Sequence, residues 1–349
     1  THDEVKLAKL LLEIHPWAHN ARFTRAGGES MAVAVRIARA FTGRDKVAIC
    51  GYHGWHDWYL AANLASAEVD TDRLDGHLLP GLETTGVPSG LSGTALTFHY
   101  NNLDELDALI ARHGSELAAV VMEPTRHTDP DPGFLEGIRE RCNKLGVSLI
   151  FDEISIGWRL GLGGAHRIFG VNPDIAVFAK ALGNGFPIGA IIGNRDTMQA
   201  AQSSFISSTF WTEGVGPAAA VACVRKMMTH DIPAHLREIG GLVVEGWQQL
   251  GRKHNLPVTT PGRPELVLLS FDHPESAALL TLMTSRMLER GFLAAGAFNA
   301  TLAHEPRHVT AYLSALDEVF AELAGAIGDN DIAARIGGAV KHTGFSRLT

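Results

Sequence analysis

The chain has 349 residues, of which 46% are hydrophobic and 19% charged, the proportions of a folded globular protein large enough for a main domain and a smaller second one. Acids outnumber lysines and arginines by 38 to 30, a net charge of −8, and no basic cluster carries interleaved aromatics, which argues against a nucleic-acid surface. No apolar run reaches the length that crosses a bilayer, and Thr1-His2-Asp3-Glu4 does not read as the basic start of a secretory leader.

In chain order, 4–14 places Leu7, Leu10, Leu11 and Ile14 at helical spacing, and 21–24 reads as a short strand. Gly27-Gly28 then opens a helix with Met31, Val35 and Ala38 on one face, and 46–50 reads as a buried strand. From about 70 to 94 the chain is rich in Gly, Pro, Asp and Thr, and a structureless stretch of this length usually has a function. Strand and helix then alternate: strands at 95–99, 117–122, 147–151, 175–179 and 188–192, helices at 103–112 and 134–145. Apolar strands alternating with amphipathic helices predict an α/β fold, a mainly parallel sheet covered on both faces. Helices follow at 217–228 and 234–250. From 251 the character changes to a strand at 266–271 and helices at 276–290 and 306–324. These limits predict a large domain over 1–250 and a small α+β domain over 251–349.

In such sheets ligands bind at the carboxyl ends of the strands. That rule singles out Gly27-Gly28, Glu123-Pro124, Asp152-Glu153 and Lys180. Acids after a strand are commonly just solvated, and a lysine there can simply reach water. The run from Lys180 to Ala190 shifts the balance, because Gly183, Gly185, Pro187 and Gly189 shape a tight loop between two buried strands. His53, His56 and Asp57 are too loosely spaced to predict a metal site, and Gly161-Leu162-Gly163-Gly164 lacks the preceding strand of a dinucleotide loop. Trp55, Trp58 and His127 can each contact a ligand, although core or interface roles are equally open to the two tryptophans. Cys50, Cys142 and Cys223 lie far apart without metal-ligand spacing and read as free thiols, which suits a cytoplasmic location.

Asp152-Glu153-Ile154, Gly157-Trp158-Arg159, and Lys180 with its glycine loop together resemble the signature of class III pyridoxal-phosphate (PLP) aminotransferases, nearest to the glutamate-1-semialdehyde aminomutase-like branch. The likeness runs from about residue 5 to 325. It implies a fold type I PLP-transferase with a small C-terminal domain, and amino-group transfer between an amine donor and a carbonyl acceptor. On this resemblance Lys180 forms the Schiff base with the cofactor and shuttles the proton. Asp152 keeps the pyridine nitrogen protonated. Ile154 packs on one ring face and Tyr52 stacks on the other, with His53 lining the pocket. Glu153 matches a supporting acid, and Glu123 is placed at the cofactor. Gly27 and Gly28 present backbone N–H groups to the phosphate. Thr209 reaches the phosphate of a neighbouring subunit, which implies a homodimer with shared sites.

Three departures stand out. Ala26-Gly27-Gly28 replaces the family's usual Ser-Gly-Thr, so two hydroxyls are missing. Thr128 stands where an asparagine is common. The family's usual N-terminal segment, which supplies part of the substrate pocket, is missing ahead of Thr1, as expected of a truncated or processed chain or of a short variant. The leading expectation is therefore transamination. An intramolecular amine shift of the aminomutase type and a non-catalytic scaffold on the same fold are the alternatives.

Overall fold

The computed structural model describes residues 1–64, 83–125 and 127–341. They fall into two compact units, the first made of Thr1–Thr125 and Asp129–His230, the second running from Asp231 onward and taking in His127 and Thr128. The chain passes from one to the other between His230 and Asp231, whereas the sequence reading drew its boundary after residue 250. A single 22-residue helix, Ile232–Lys253, starts on the N-cap Asp231 and carries the chain through that point.

In the first unit the elements are α1 (His2–Ile14), β1 (Asn20–Thr24), α2 (Gly27–Thr42), β2 (Lys46–Cys50), α3 (Asp57–Leu60), β3 (Ala95–Thr97), α4 (Leu103–His113), β4 (Leu117–Met122), α5 (Phe134–Leu145), β5 (Ser148–Asp152), α6 (Ala165–Phe169), β6 (Ile175–Phe178), β7 (Gly189–Gly193), α7 (Arg195–Gln199) and α8 (Val215–Thr229). Of the irregular stretch expected near 70–94, residues 70–82 lie outside the described residues. The strands form one seven-stranded sheet in the order β1-β7-β6-β5-β4-β2-β3. Neighbours from β3 to β6 are parallel, while β7 is antiparallel to both β6 and β1. The α/β architecture with a mainly parallel sheet is thus present, with β7 reversed because a short loop with one 3₁₀ turn, Lys180–Leu182, and no crossover α-helix joins it to β6.

Side-chain alternation divides the core. Ile150, Ile175, Val177 and Ile191 are buried on one face with Met31, Ala34 and Ile37 of α2. Ala176, Phe178, Ala190 and Ile192 are buried on the other with Leu7 and Leu11 of α1 and Val224 of α8. Each fully buried Ile or Val contributes about 1.5–3 kcal/mol relative to exposure, so a charge at Val177 would break the layer. The same period of two carries Asp152 to the α2 face, two residues beyond Ile150. Gly189 lets β1, α2 and β7 meet there, since a Cβ on it would overlap Ser30 Oγ and Thr24 Oγ1. Those two hydroxyls are hydrogen-bonded at 2.5 Å and tie the end of β1 to the first turn of α2.

The second unit holds α9 (Ile232–Lys253), β8 (Val258–Thr259), β9 (Gly262–Arg263), β10 (Leu266–Leu268), β11 (Ser270–Phe271), α10 (Ser276–Glu289), β12 (Ala297–Phe298), α11 (Pro306–Gly328) and α12 (Ile332–Ile336). The strand expected at 266–271 is split between two small sheets, β12-β10-β9 and β11-β8. No helix among the described residues is long and apolar enough to cross a membrane.

Candidate active site

The carboxyl ends of β1, β2, β5 and β6 lie on one edge of the sheet and enclose a cavity of about 450 Å³, within the usual range of small-ligand pockets. Its lining includes Gly27, Gly28, Tyr52, His53, Asp152, Ile154 and Lys180. Seven of the nine residues expected at the cofactor therefore come together from four separate chain segments.

Lys180 follows β6 and sits in the left-handed region, with φ of 44°. For a residue with a Cβ this costs roughly 1–2 kcal/mol, a strain of the kind that accumulates at functional positions. Its ammonium donates to Ser155 Oγ at 2.8 Å. Asp152 is buried at the end of β5. One of its oxygens accepts from the backbone N–H of Ile154 at 2.9 Å, and the other meets His53 Nδ1 at 2.9 Å. His53 Nε2 donates to the carbonyl of Cys50 at 3.2 Å. The imidazole is thus clamped between a strand end and the carboxylate, and the carboxylate is aimed by both of its partners.

Glu153, the next residue, points away from the cavity. Fully buried, it accepts from the backbone N–H groups of Ala165 and His166 at 2.9 and 2.8 Å, and from His166 Nδ1 at 2.8 Å. His166 Nε2 in turn accepts from Trp17 Nε1 at 3.2 Å. These bonds of Glu153 are structural, in keeping with a supporting acid.

At the start of α2, the first N–H groups have no acceptor within their own helix. A Cβ on Gly27 would lie 3.1 Å from Ile154 Cδ1, so the glycine brings the helix start close to Ile154. Glu29 accepts from the backbone N–H of Arg25 at 2.7 Å and from Trp211 Nε1 at 3.0 Å, which braces the same turn.

Two expected residues stand apart from this lining. Glu123 is buried beyond β4 with Oε2 beside Gly51, and the backbone of Gly51 lies against it. Thr209 is exposed in the 3₁₀ turn Thr209–Thr212. His127 belongs to the second unit. Sequence reasoning passed over Ser155, Arg25 and Phe186, all in the lining. Ser155 had a usable signal, lying three residues beyond Asp152. Arg25 had none, since its guanidinium is held by distant carbonyls and Glu213. Burial pushes the Cys50 thiol up to about 12, aided by Glu123 and Glu105, so it is no nucleophile. Among the described residues no group of three or more His, Cys, Asp or Glu is arranged to hold a metal.

The family profile for aminotransferase class-III matches residues 1–324 of the chain. The chain belongs to the class III aminotransferases. Its cofactor is pyridoxal phosphate, and the fold is that of the type I PLP transaminases. The chain is 33% identical to the 2'-deamino-2'-hydroxyneamine transaminase of Streptomyces kanamyceticus over 93% of its own length and 75% of that protein's. It is 33% identical to the 3-aminobutyryl-CoA aminotransferase of Cloacimonas acidaminovorans, covering 80% of this chain and 64% of that one. Against glutamate-1-semialdehyde 2,1-aminomutase 2 of Lysinibacillus sphaericus the identity is 32%, over 93% and 78%. An omega-transaminase from Sphaerobacter thermophilus superposes with a TM-score of 0.79 at 26% identity, covering 93% of this chain and 79% of that one. This class III aminotransferase chain therefore spans about two thirds to four fifths of its relatives' lengths. Its cavity suits the cofactor: a lysine amine, a buried carboxylate, an Ile and a Tyr as walls, and a helix start opened by two glycines.

Proposed function

We propose that the protein moves an amino group between a primary amine or amino acid and an aldehyde or keto acid, with Lys180 as the residue that carries the cofactor. The observation that carries this reading is the meeting of Lys180 and Asp152 at adjacent parallel strand ends in one cavity of a chain with the class III profile. When bound, PLP supplies an electron sink that acidifies the substrate's α-hydrogen. Lys180 Nζ anchors the cofactor's carbonyl carbon and, once displaced by the incoming amine, moves the substrate's α-proton. Ser155 Oγ holds that nitrogen in place meanwhile. Asp152 presents a fixed negative charge to the ring nitrogen and keeps its proton bound. His53 and the Ile154 N–H prevent the carboxylate from turning away. Tyr52 and Ile154 form the apolar walls that keep water from the ring. Glu123 acts from beneath the cavity, through the turn at Gly51.

The active assembly is a homodimer in which Thr209 donates to the partner's phosphate. Its exposure supports this, as do the exposed aromatics Trp55, Phe205 and Phe210, at 70, 85 and 72%, on the same unit. The small domain corresponds to the second compact unit. Three free thiols, two of them buried, favour the cytoplasm.

Borohydride reduction of the purified yellow protein, followed by peptide mass analysis, tests the central assignment. The pyridoxyl adduct is expected on the peptide containing Lys180, and an adduct on any other lysine would overturn it. The 32% identity to an aminomutase supports an intramolecular amine shift as the second reading. An assay without acceptor decides between them, since a transaminase then stops after releasing one equivalent of carbonyl product per site, whereas an aminomutase keeps turning over.

A further inference from the structure

Gly28 does more than leave room for the backbone. A Cβ built on it would lie 2.8 Å from His56 Nδ1 and 2.9 Å from His56 Cε1. Cβ atoms on a helix lean toward its N-terminus, so the His56 ring occupies the space that a side chain on residue 28 would take, beside the first turn of α2. Gly54 brings the ring there: its backbone crosses that of Gly28 so closely that a Cβ on Gly54 would stand 3.0 Å from Gly28 Cα. Trp55 stacks on the imidazole with centroids 4.6 Å apart and 28° between planes, which fixes its orientation.

His56 Nδ1 is buried and has no hydrogen-bond partner. It is the N-cap residue of α3, yet its side chain makes no capping bond. A buried ring nitrogen without a partner is rare in native proteins and calls for a function. Rotating the ring by half a turn would bring Nε2 to the place of Cε1, so a nitrogen faces Gly28 either way. The ring borders a second cavity of about 640 Å³ that shares Trp55 with the first. Burial holds the imidazole below its usual value against the opposing pull of Glu29 and Asp57, so at neutral pH it carries one N–H and no charge.

We propose that His56 is a phosphate-recognition residue, whose ring N–H donates to the cofactor phosphate at the start of α2 in place of the hydroxyls that Ala26 and Gly28 lack. The inference rests on the cofactor site proposed above. It explains why residue 28 is a glycine here: a threonine and the imidazole compete for one space, and this chain has taken the imidazole.

The test compares PLP with pyridoxal, which lacks the phosphate, in equilibrium dialysis against apoprotein. His56→Ala should raise the PLP Kd roughly tenfold or more, the loss of one bond to a charged acceptor, and leave pyridoxal within about twofold. His56→Asn, which retains a donor, should recover part of the difference. Gly28→Thr alone should weaken PLP by collision with the ring, whereas Gly28→Thr combined with His56→Ala should bind PLP more tightly than either single variant. An unchanged PLP Kd in His56→Ala would overturn the proposal, as would equal losses for PLP and pyridoxal, which mark a merely structural role. Borohydride labelling of Lys180 in the unaltered protein separates these results from a failure of the site itself.

Discussion

Replacing Glu153 by Gln tests whether the second acid of the Asp152-Glu153 pair is structural. One carboxylate oxygen takes two N–H groups of His166 and the other takes the N–H of Ala165, all within 2.8–2.9 Å and out of water. An amide can turn its oxygen to His166 and keep two of the bonds, but its NH₂ then faces the Ala165 N–H, donor against donor. The variant loses one bond to a charged acceptor and leaves a buried N–H unpaired, together about 3 kcal/mol. At 2–4 °C per kcal/mol for a unit of this size, the melting temperature should fall by roughly 6–12 °C. Turnover measured well below that temperature should stay within a few fold, because no oxygen of Glu153 borders the cavity. Thermal unfolding followed by tryptophan fluorescence, alongside transaminase assays at 20 °C or so, reads both quantities. A variant that melts normally but has lost turnover would refute the structural assignment and make Glu153 a group that acts on substrate.

Asp152→Asn should keep its shape, since the amide can still accept from Ile154 and donate to His53 Nδ1, while losing the charge; PLP should remain bound and kcat should drop by roughly two orders of magnitude or more. A near-normal kcat would mean that another group faces the ring nitrogen. Thr209→Val should remain dimeric by light scattering, release PLP about ten- to a hundredfold more readily, and regain activity with added cofactor; a fully loaded monomer would sink the shared-site reading. His15 is buried, with its nitrogens 2.7 Å from the Leu11 carbonyl and 2.5 Å from that of Gly163, and burial pushes its imidazole down to about 4, with His166 and Arg167 opposing the charge further. The unfolded chain therefore takes up a proton below pH 6.5 that the folded one refuses until about 4, so stability is full above 6.5 and falls by about 2 kcal/mol between pH 7 and 4.5. A His15→Phe variant should lack this slope in urea unfolding read through Trp17 and Trp158, and parallel pH curves for the two proteins would contradict it.

Several elements were legible from local pattern alone. Strands β2 and β4 and helix α5 have the limits read from the sequence, because each apolar run ends at a charged residue or a glycine that stops it. Lys180 and Asp152 were legible for the same reason: each ends an apolar strand, and parallel strands bring such ends to one edge. What no local pattern carries is the partner of a side chain. The sequence places Glu153 beside Asp152, yet successive residues at a strand end face opposite ways, and the acid's ligands lie twelve and thirteen residues further on. The direction of β7, the turn of Ser155 toward Lys180, the withdrawal of Glu123 beneath Gly51 and the wedging of His56 against Gly28 all depend on which segments the folded sheet makes neighbours. Residue type and spacing thus determine which strands form and which end in reactive groups. Only long-range packing, which settles distances between segments tens of residues apart, decides which of those groups meet.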